Sequence, residues 1–295
     1  MPYLKPNVIV EPLFNQWYAW SYLISPATAS RYITESHLKI MQSFVDAPQV
    51  HHSALKNPAM MGGPFINYEV DRADEIKALL EKTKEEQAHM VQLSQAIAQL
   101  DTMLTSEAEG YSLEPLYQKV PEALKGYVEL VYDSNNYPSI RFIEGLLYKS
   151  QYYNTASQTV ALYLGHEDER SFVLSTPRLK DERYLNLNLP FHDPRLDELF
   201  QMRNIPQPLT QIKNLLGITP EDEALFSSFF TEEPPQKEPK YSGDSIRIRY
   251  FGHACVLIET KDVSILCDPL ISYEHQKGIP RYTYADLPEK IDYAL

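Results

Sequence analysis

Phe251-Gly252-His253-Ala254-Cys255-Val256-Leu257-Ile258-Glu259, followed after a polar turn by Ile265-Leu266-Cys267-Asp268-Pro269, is the stretch on which the fold turns. Ile246 to His253 reads as one strand, Ala254 to Glu259 as a second and Val263 to Asp268 as a third. The last two join as a hairpin near Thr260 to Asp262. Short apolar runs bounded by turn residues are strand signals. The only cysteines of the chain, Cys255 and Cys267, lie in this hairpin and are expected opposite each other. They are too few for a disulfide scaffold or a thiolate zinc cage. Small buried side chains, and not a redox pair, are their expected role.

Upstream, Glu232-Glu-Pro-Pro-Gln-Lys-Glu-Pro239 holds three prolines and four charges in eight residues. That composition buries too little to fold by itself, so residues 232–244 are expected to link an N-terminal domain, residues 1–231, to the strands of residues 245–295. A length of 295 residues suits two cores better than one. The hydrophobic fraction of 43% and charged fraction of 23% are ordinary for a globular chain. With 27 basic against 40 acidic residues the net charge is -13, which repels a phosphate backbone and argues against nucleic acid as partner. No apolar run approaches the roughly 20 residues of a membrane helix. Met1 to Val10 lacks the long apolar core of a secretory signal. No membrane partner and a cytoplasmic location are expected.

Within the N-terminal part, Glu11 to Pro26 holds both tryptophans with Phe14, Tyr18 and Tyr22, a density suited to anchoring a core or interface, or to stacking a ligand. Tyr32-Ile33, His37-Leu38, Met41 and Phe44-Val45 recur at helical spacing, and Met60-Met61-Gly62-Gly63-Pro64 must be a turn. One long helix is expected from about Asp71 to Leu104, with Ile76, Leu79, Leu80, Met90, Leu93, Ile97, Leu100 and Leu104 as its stripe. Strands are expected at Tyr127 to Tyr132, Ile140 to Tyr148, Thr159 to Leu164, Ser171 to Ser175 and Tyr184 to Leu189, with turns at Asp133 to Asn136 and Gly165 to Asp168. Helices return at Pro194 to Phe200, Leu209 to Leu216 and Pro220 to Phe230, the last capped by Thr219. The fold class is therefore α+β.

Phe251 to Glu259 with Ile265 to Pro269 resembles the opening of a metallo-β-lactamase (αββα) fold. In that fold an Asp-Pro strand end is followed, after a loop and a strand, by a His-x-His-x-Asp-His run that supplies most of the first metal site. Ile291 to Leu295 looks like the start of the intervening strand, so the resemblance places the run beyond Leu295. The block Glu11-Pro12 and Trp17-Tyr18-Ala19-Trp20-Ser21-Tyr22-Leu23 resembles the diiron β-hydroxylases that act with nonribosomal peptide synthetases. Asp46 to His51, Gly62-Gly63-Pro64, Tyr273, and Thr283 to Asp292 look like the same family. The resemblance therefore runs from a mixed α/β N-terminal domain into the first strands of an incomplete metallo-β-lactamase fold. It implies a protein about twice as long, using two irons and O2 to hydroxylate the β-carbon of an aminoacyl group on a carrier domain. It also implies a homodimer.

No cofactor is expected to be bound by residues 1–295 themselves, and no catalytic or metal-ligating residue is assigned among them. Asp268 is expected to end its strand and orient the metal-binding loop without touching the metal. His253 is expected to have a structural hydrogen-bonding role in the opening hairpin. His192 reads as a turn or cap residue, and His51-His52 lack a neighbouring Asp, Glu or Cys to complete a ligand set. No phosphate-binding glycine loop and no Gly-x-Ser-x-Gly elbow occurs. The chain alone is thus expected to be inactive. The competing readings are a non-catalytic dimerisation or carrier-docking module, and a fragment of a metallo-β-lactamase-type hydrolase.

Overall fold

The computed structural model describes residues 1–20, 23–165, 172–271 and 281–295. In chain order the elements begin with β1 (Tyr3–Leu4), β2 (Val8–Phe14), β3 (Trp17–Tyr18), α1 (Pro26–Tyr32), α2 (Leu38–Asp46), α3 (Pro48–Leu55), α4 (Ala73–Glu86) and α5 (Ala88–Glu107). Next come β4 (Val128–Tyr132), β5 (Pro138–Phe142), α6 (Glu144–Leu147), β6 (Gln158–Leu164), β7 (Leu185–Leu187), α7 (Pro194–Gln201), α8 (Leu209–Leu216) and α9 (Glu223–Ser228). The chain finishes with β8 (Phe230–Thr231), β9 (Arg247–Gly252), β10 (Cys255–Glu259), β11 (Ser264–Cys267) and β12 (Tyr293–Ala294). Helices and sheets are both present, so the α+β class holds. Two compact units are distinguished: Pro12–Thr159 with Ser171–Leu179, and Met1–Glu11 with Val160–Arg170 and Lys180–Leu295.

The first of these units is mainly helical. A π-helical turn, Ile33–His37, joins α1 to α2; α1 packs on α5, and α2 packs on α4. The single helix expected from Asp71 to Leu104 is two helices, broken at Gln87 (φ -107°, ψ 20°). The stripe runs on through buried Thr83 and Gln87 at the same spacing, so nothing in the periodicity marks the break. The side chains mark it. Thr83 Oγ1 donates to the Leu79 carbonyl at 2.7 Å and accepts from Asn15 Nδ2 at 2.9 Å, while Gln87 Nε2 donates to Ser157 Oγ at 3.0 Å.

The strand expected at Ile140 to Tyr148 stops at Phe142, which pairs with Val128, the first residue of β4. Gly126 turns the partner chain away at φ 81°, so after one last hydrogen bond, from the Ile143 amide to the Tyr127 carbonyl at 2.8 Å, the remainder coils into α6. The expected turn at Asp133 to Asn136 is present, with Asp133 Oδ1 accepting from the amides of Asn135 and Tyr137 at 2.8 and 2.9 Å. Residues 172–175 form a turn in place of the expected strand, Phe172 lying at φ 65°. Ser171, the turn residues from His166 to Asp168, Ser21, Tyr22 and Tyr273 lie outside the described residues.

In the other unit β6 pairs antiparallel with β7, Val160 opposite Leu187 and Leu162 opposite Leu185. These leucines share a core with Leu196, Leu199, Ile212 and Phe226 from α7, α8 and α9. Asp193 caps α7 by accepting from the Arg195 amide at 3.0 Å, and Gly217 ends α8 at φ 68°. The helix expected from Pro220 to Phe230 is shorter at both ends. Thr219 and Asp222 close a turn ahead of it, and Phe230 leaves it to pair with Leu4 of β1. Phe226, Phe229 and Phe230 all face one core, so helical spacing continued past the helix.

The same unit holds a four-stranded sheet in the order β12-β11-β10-β9. The three strands expected from the sequence form it, β9, β10 and β11 pairing antiparallel, and Ile291 to Leu295 supplies β12 parallel to β11. The cysteines are not opposite each other: Cys267 faces Val256, and Cys255 pairs with Gly252 across a bulge. Alternation then puts Cys255 on the buried face and Cys267 on the other, and both are free thiols. Burial pushes the Cys255 thiol up, with the Asp268 carboxylate and Cys267 adding to the effect.

Candidate functional site

The sequence-selected residues meet at one end of the four-stranded sheet. Gly252 (φ 104°) and His253 (φ 51°) make the β9–β10 turn, and the His253 carbonyl accepts from Tyr250 Oη at 2.6 Å. Val256 lies opposite Cys267, so Asp268 falls one step beyond the paired part of β11, on the side of that turn. Asp268 itself sits in the left-handed region at φ 44°, a conformation that costs a non-glycine residue about 1 kcal/mol or more. Its amide donates to the Leu295 carbonyl at 2.8 Å and its carbonyl accepts from Leu270 at 2.6 Å. The exposed side chains of His253 and Asp268 and the last residue of β12 thus share one sheet end.

The opposite end is built on charges that the sequence reading missed. In Ile246-Arg-Ile-Arg-Tyr the isoleucines and Tyr250 point outward, 66%, 67% and 61% exposed, while Arg249 is 4% exposed. Arg247 Nε and Nη2 donate to the two oxygens of Glu259 at 2.9 and 3.1 Å, and Arg249 Nε donates to Glu259 at 3.1 Å. Glu238 takes one hydrogen bond from Arg247 Nη1 at 2.8 Å and another from Arg249 Nη1. The Glu259 carboxylate raises the pKa of Arg247, with Glu238 assisting. The signal was available: two arginines two apart on a strand share a face with Glu259 across the hairpin.

A cleft of about 560 Å³ lies beside this network. Its walls include Leu4, Pro6, Glu233 to Lys237, Tyr284, Leu287 to Glu289 and Ile291. Arg203 also lines it, its guanidinium 4.5 Å from the Tyr284 ring centroid and hydrogen-bonded to the Pro6 and Val8 carbonyls at 3.0 and 2.8 Å.

Two histidines of the helical unit are structural. His37, in the π-helical turn, stacks on Trp17 with ring centroids 3.8 Å apart and planes 3° from parallel; burial pulls its pKa down to about 3. Trp17, one of the expected anchors, is 1% exposed and its indole N–H finds no acceptor among the described residues. His51 Nδ1 accepts from the Ile66 amide at 3.0 Å, which leaves the proton on Nε2 to donate to Ser43 Oγ at 3.1 Å. That tautomer cannot deprotonate Ser43, so the pair is no nucleophile. His192 lies in the turn ahead of Asp193.

Among the described residues no group of three or more His, Cys, Asp or Glu side chains converges as a metal site would require. Asp268 and His253 offer one carboxylate and one imidazole, which do not suffice for a pair of irons. No helix among the described residues is long and apolar enough to cross a membrane.

Residues 3–234 match the family described as the diiron non-heme β-hydroxylase N-terminal domain, and the chain belongs to that family. It is 35% identical over 299 aligned residues to the 4-amino-L-phenylalanyl-[CmlP-peptidyl-carrier-protein] 3-hydroxylase of Streptomyces venezuelae, covering 99% of this chain and 56% of that one. The crystal structure of CmlA, a diiron β-hydroxylase from Streptomyces venezuelae, superposes with a TM-score of 0.84 at 34% identity, over 100% of this chain and 55% of that one. A mutant of the CmlA β-hydroxylase gives the same TM-score and identity, over 56% of its chain. The chain thus spans about half the length of the relatives it matches.

Proposed function

We propose that this chain is the N-terminal portion of a diiron oxygenase that β-hydroxylates an aminoacyl group tethered to a carrier domain of a nonribosomal peptide synthetase. The observation that carries the reading is the likeness at 34% identity over the full chain, which includes the strand module of residues 245–295 as well as the family domain. On this reading residues 1–231 form the N-terminal domain, 232–244 connect it, and 245–295 open a metallo-β-lactamase fold in a cytoplasmic homodimer. Asp268 and Leu295 lie side by side. Residues that follow Leu295 would therefore start next to Asp268, whose carboxylate would orient the metal-binding loop, while His253 holds the turn alongside. Two irons bound there would supply O2 activation.

The test is a protein extended through the residues that follow Leu295 in its gene, loaded with iron and given an aminoacyl carrier protein, a reductant and O2. Gain of one oxygen atom by the aminoacyl group, seen by intact-protein mass spectrometry, is the expected result. The 295-residue chain treated identically is expected to give none. Thioester hydrolysis without oxygen gain would favour the hydrolase reading, and carrier binding without turnover by the extended protein would favour a docking module.

A further inference from the structure

The segment that composition marks as a linker is held at both ends. Thr231 of β8 pairs with Tyr3 of β1 at one end. At the other, the Glu238 amide donates to the Leu287 carbonyl at 3.2 Å, residue 238 bridges to Pro288, and the Glu238 carboxylate sits on Arg247 and Arg249. Between these anchors Glu233, Pro234, Gln236 and Lys237 are exposed along the side of the 560 Å³ cleft. Two adjacent prolines fix φ at their positions and so stiffen the middle of this span.

The four charges are unequal in how they are held. Glu259 has a side-chain exposure of 2% and Arg249 of 4%, whereas Glu238 stands at 29%. Glu238 is also the member that belongs to the segment and not to the β9–β10 pair. Two arginines balance two glutamates, so losing Glu238 leaves a buried guanidinium half-paired, an arrangement that resists opening as long as the contact stands.

We propose that residues 231–240 are a latched strap, in which the Glu238 carboxylate on Arg247 and Arg249 closes one side of the cleft and release of that contact opens it. The strap swings from the β1–β8 pairing, and residues 284–291 lose their bridge at Pro288 when it does. The sheet β9 to β12 remains intact through the opening, because its own ladders do not include the strap.

The full chain with Glu238→Gln, which keeps the shape and removes the charge, is compared with Glu232→Gln, whose carboxylate meets the N-terminal ammonium at an exposed site. Trypsin cleavage after Lys240 and hydrogen exchange of residues 231–240 and 284–291 are the readouts. Glu238→Gln is expected to raise strap cleavage and exchange about tenfold, the effect of one charge-assisted hydrogen bond. Exchange in α7, α8 and α9 should stay unchanged, Glu232→Gln should match the parent, and Glu238→Asp should fall between. Cleavage equal to the parent overturns the proposal, and so does a rise spread evenly over α7 to α9. In the unsubstituted chain the strap and residues 284–291 should exchange together, ahead of β10 and β11; exchange only with global unfolding would equally overturn it.

Discussion

His37 is a neutral imidazole sealed against Trp17, and its pKa of about 3 lies far below the ordinary 6.5 because burial penalises the cation. The unfolded chain protonates this residue near its ordinary value, so between about pH 6.5 and pH 3 the unfolded state binds more protons than the folded one. The stabilisation is therefore complete above pH 6.5 and is lost as pH falls towards 3, with a slope of at most roughly 1.4 kcal/mol per pH unit for one proton. Urea midpoints taken from pH 7 to pH 4 on the parent and on His37→Phe should show a shallower acid decline in the variant. Identical slopes would mean that His37 titrates freely. The neighbouring His51, also lowered by burial, remains in both proteins and cancels in the difference.

Gln87 shows what an element boundary costs to hide. Its side chain is 1% exposed at the joint between α4 and α5, donates to Ser157 Oγ at 3.0 Å, and carries a buried Oε1 without a partner among the described residues. Gln87→Ala is expected to lower stability by about 1–2 kcal/mol, Ser157→Ala by a comparable amount, and the double variant by less than the sum, because both remove the same bond. Strict additivity in chemical denaturation would detach the joint from Ser157. The same residue explains where the sequence was legible. Periodicity located Leu209 to Leu216 and the strands around Leu162 and Leu187, since each buries one face against a single core. It could not see the Gln87 break, whose cause lies 70 residues away at Ser157. At the sheet end, Asp268 and His253 were legible through their neighbours in sequence. In the Arg247, Arg249, Glu238 and Glu259 cluster the strand face shared by the arginines and Glu259 was legible, while Glu238, which reaches it from the linker segment, was not; β9 also reverses the usual pattern, with its isoleucines outward and Arg249 inward.

That reversal has its largest effect on the molecule as a whole. Registers across the sheet align Ile248, Ile258, Ile265 and Tyr293 in one row and Tyr250, Val256 and Cys267 in the next, so among the described residues these two outward rows carry no charged side chain. Ile248 and Tyr250 are 67% and 61% exposed, and Tyr293 is 60% exposed. Contiguous apolar surface of this kind drives association in water, and the net charge of -13 opposes it only at long range. The 295-residue chain is therefore expected to bind a hydrophobic dye and to self-associate at micromolar concentration, increasingly so as salt screens its charge. Ile248→Lys should lower dye fluorescence and shift the sedimentation profile towards monomer. It should alter the unfolding free energy by no more than about 0.5 kcal/mol, since the side chain is already mostly in water. Arg249→Leu on the opposite face should do the reverse, leaving association unchanged while removing buried pairing from Glu259 and Glu238 and costing about 3 kcal/mol or more. Unchanged association in Ile248→Lys would mean that another surface joins the molecules, and the outward row of isoleucines would then have no part in it.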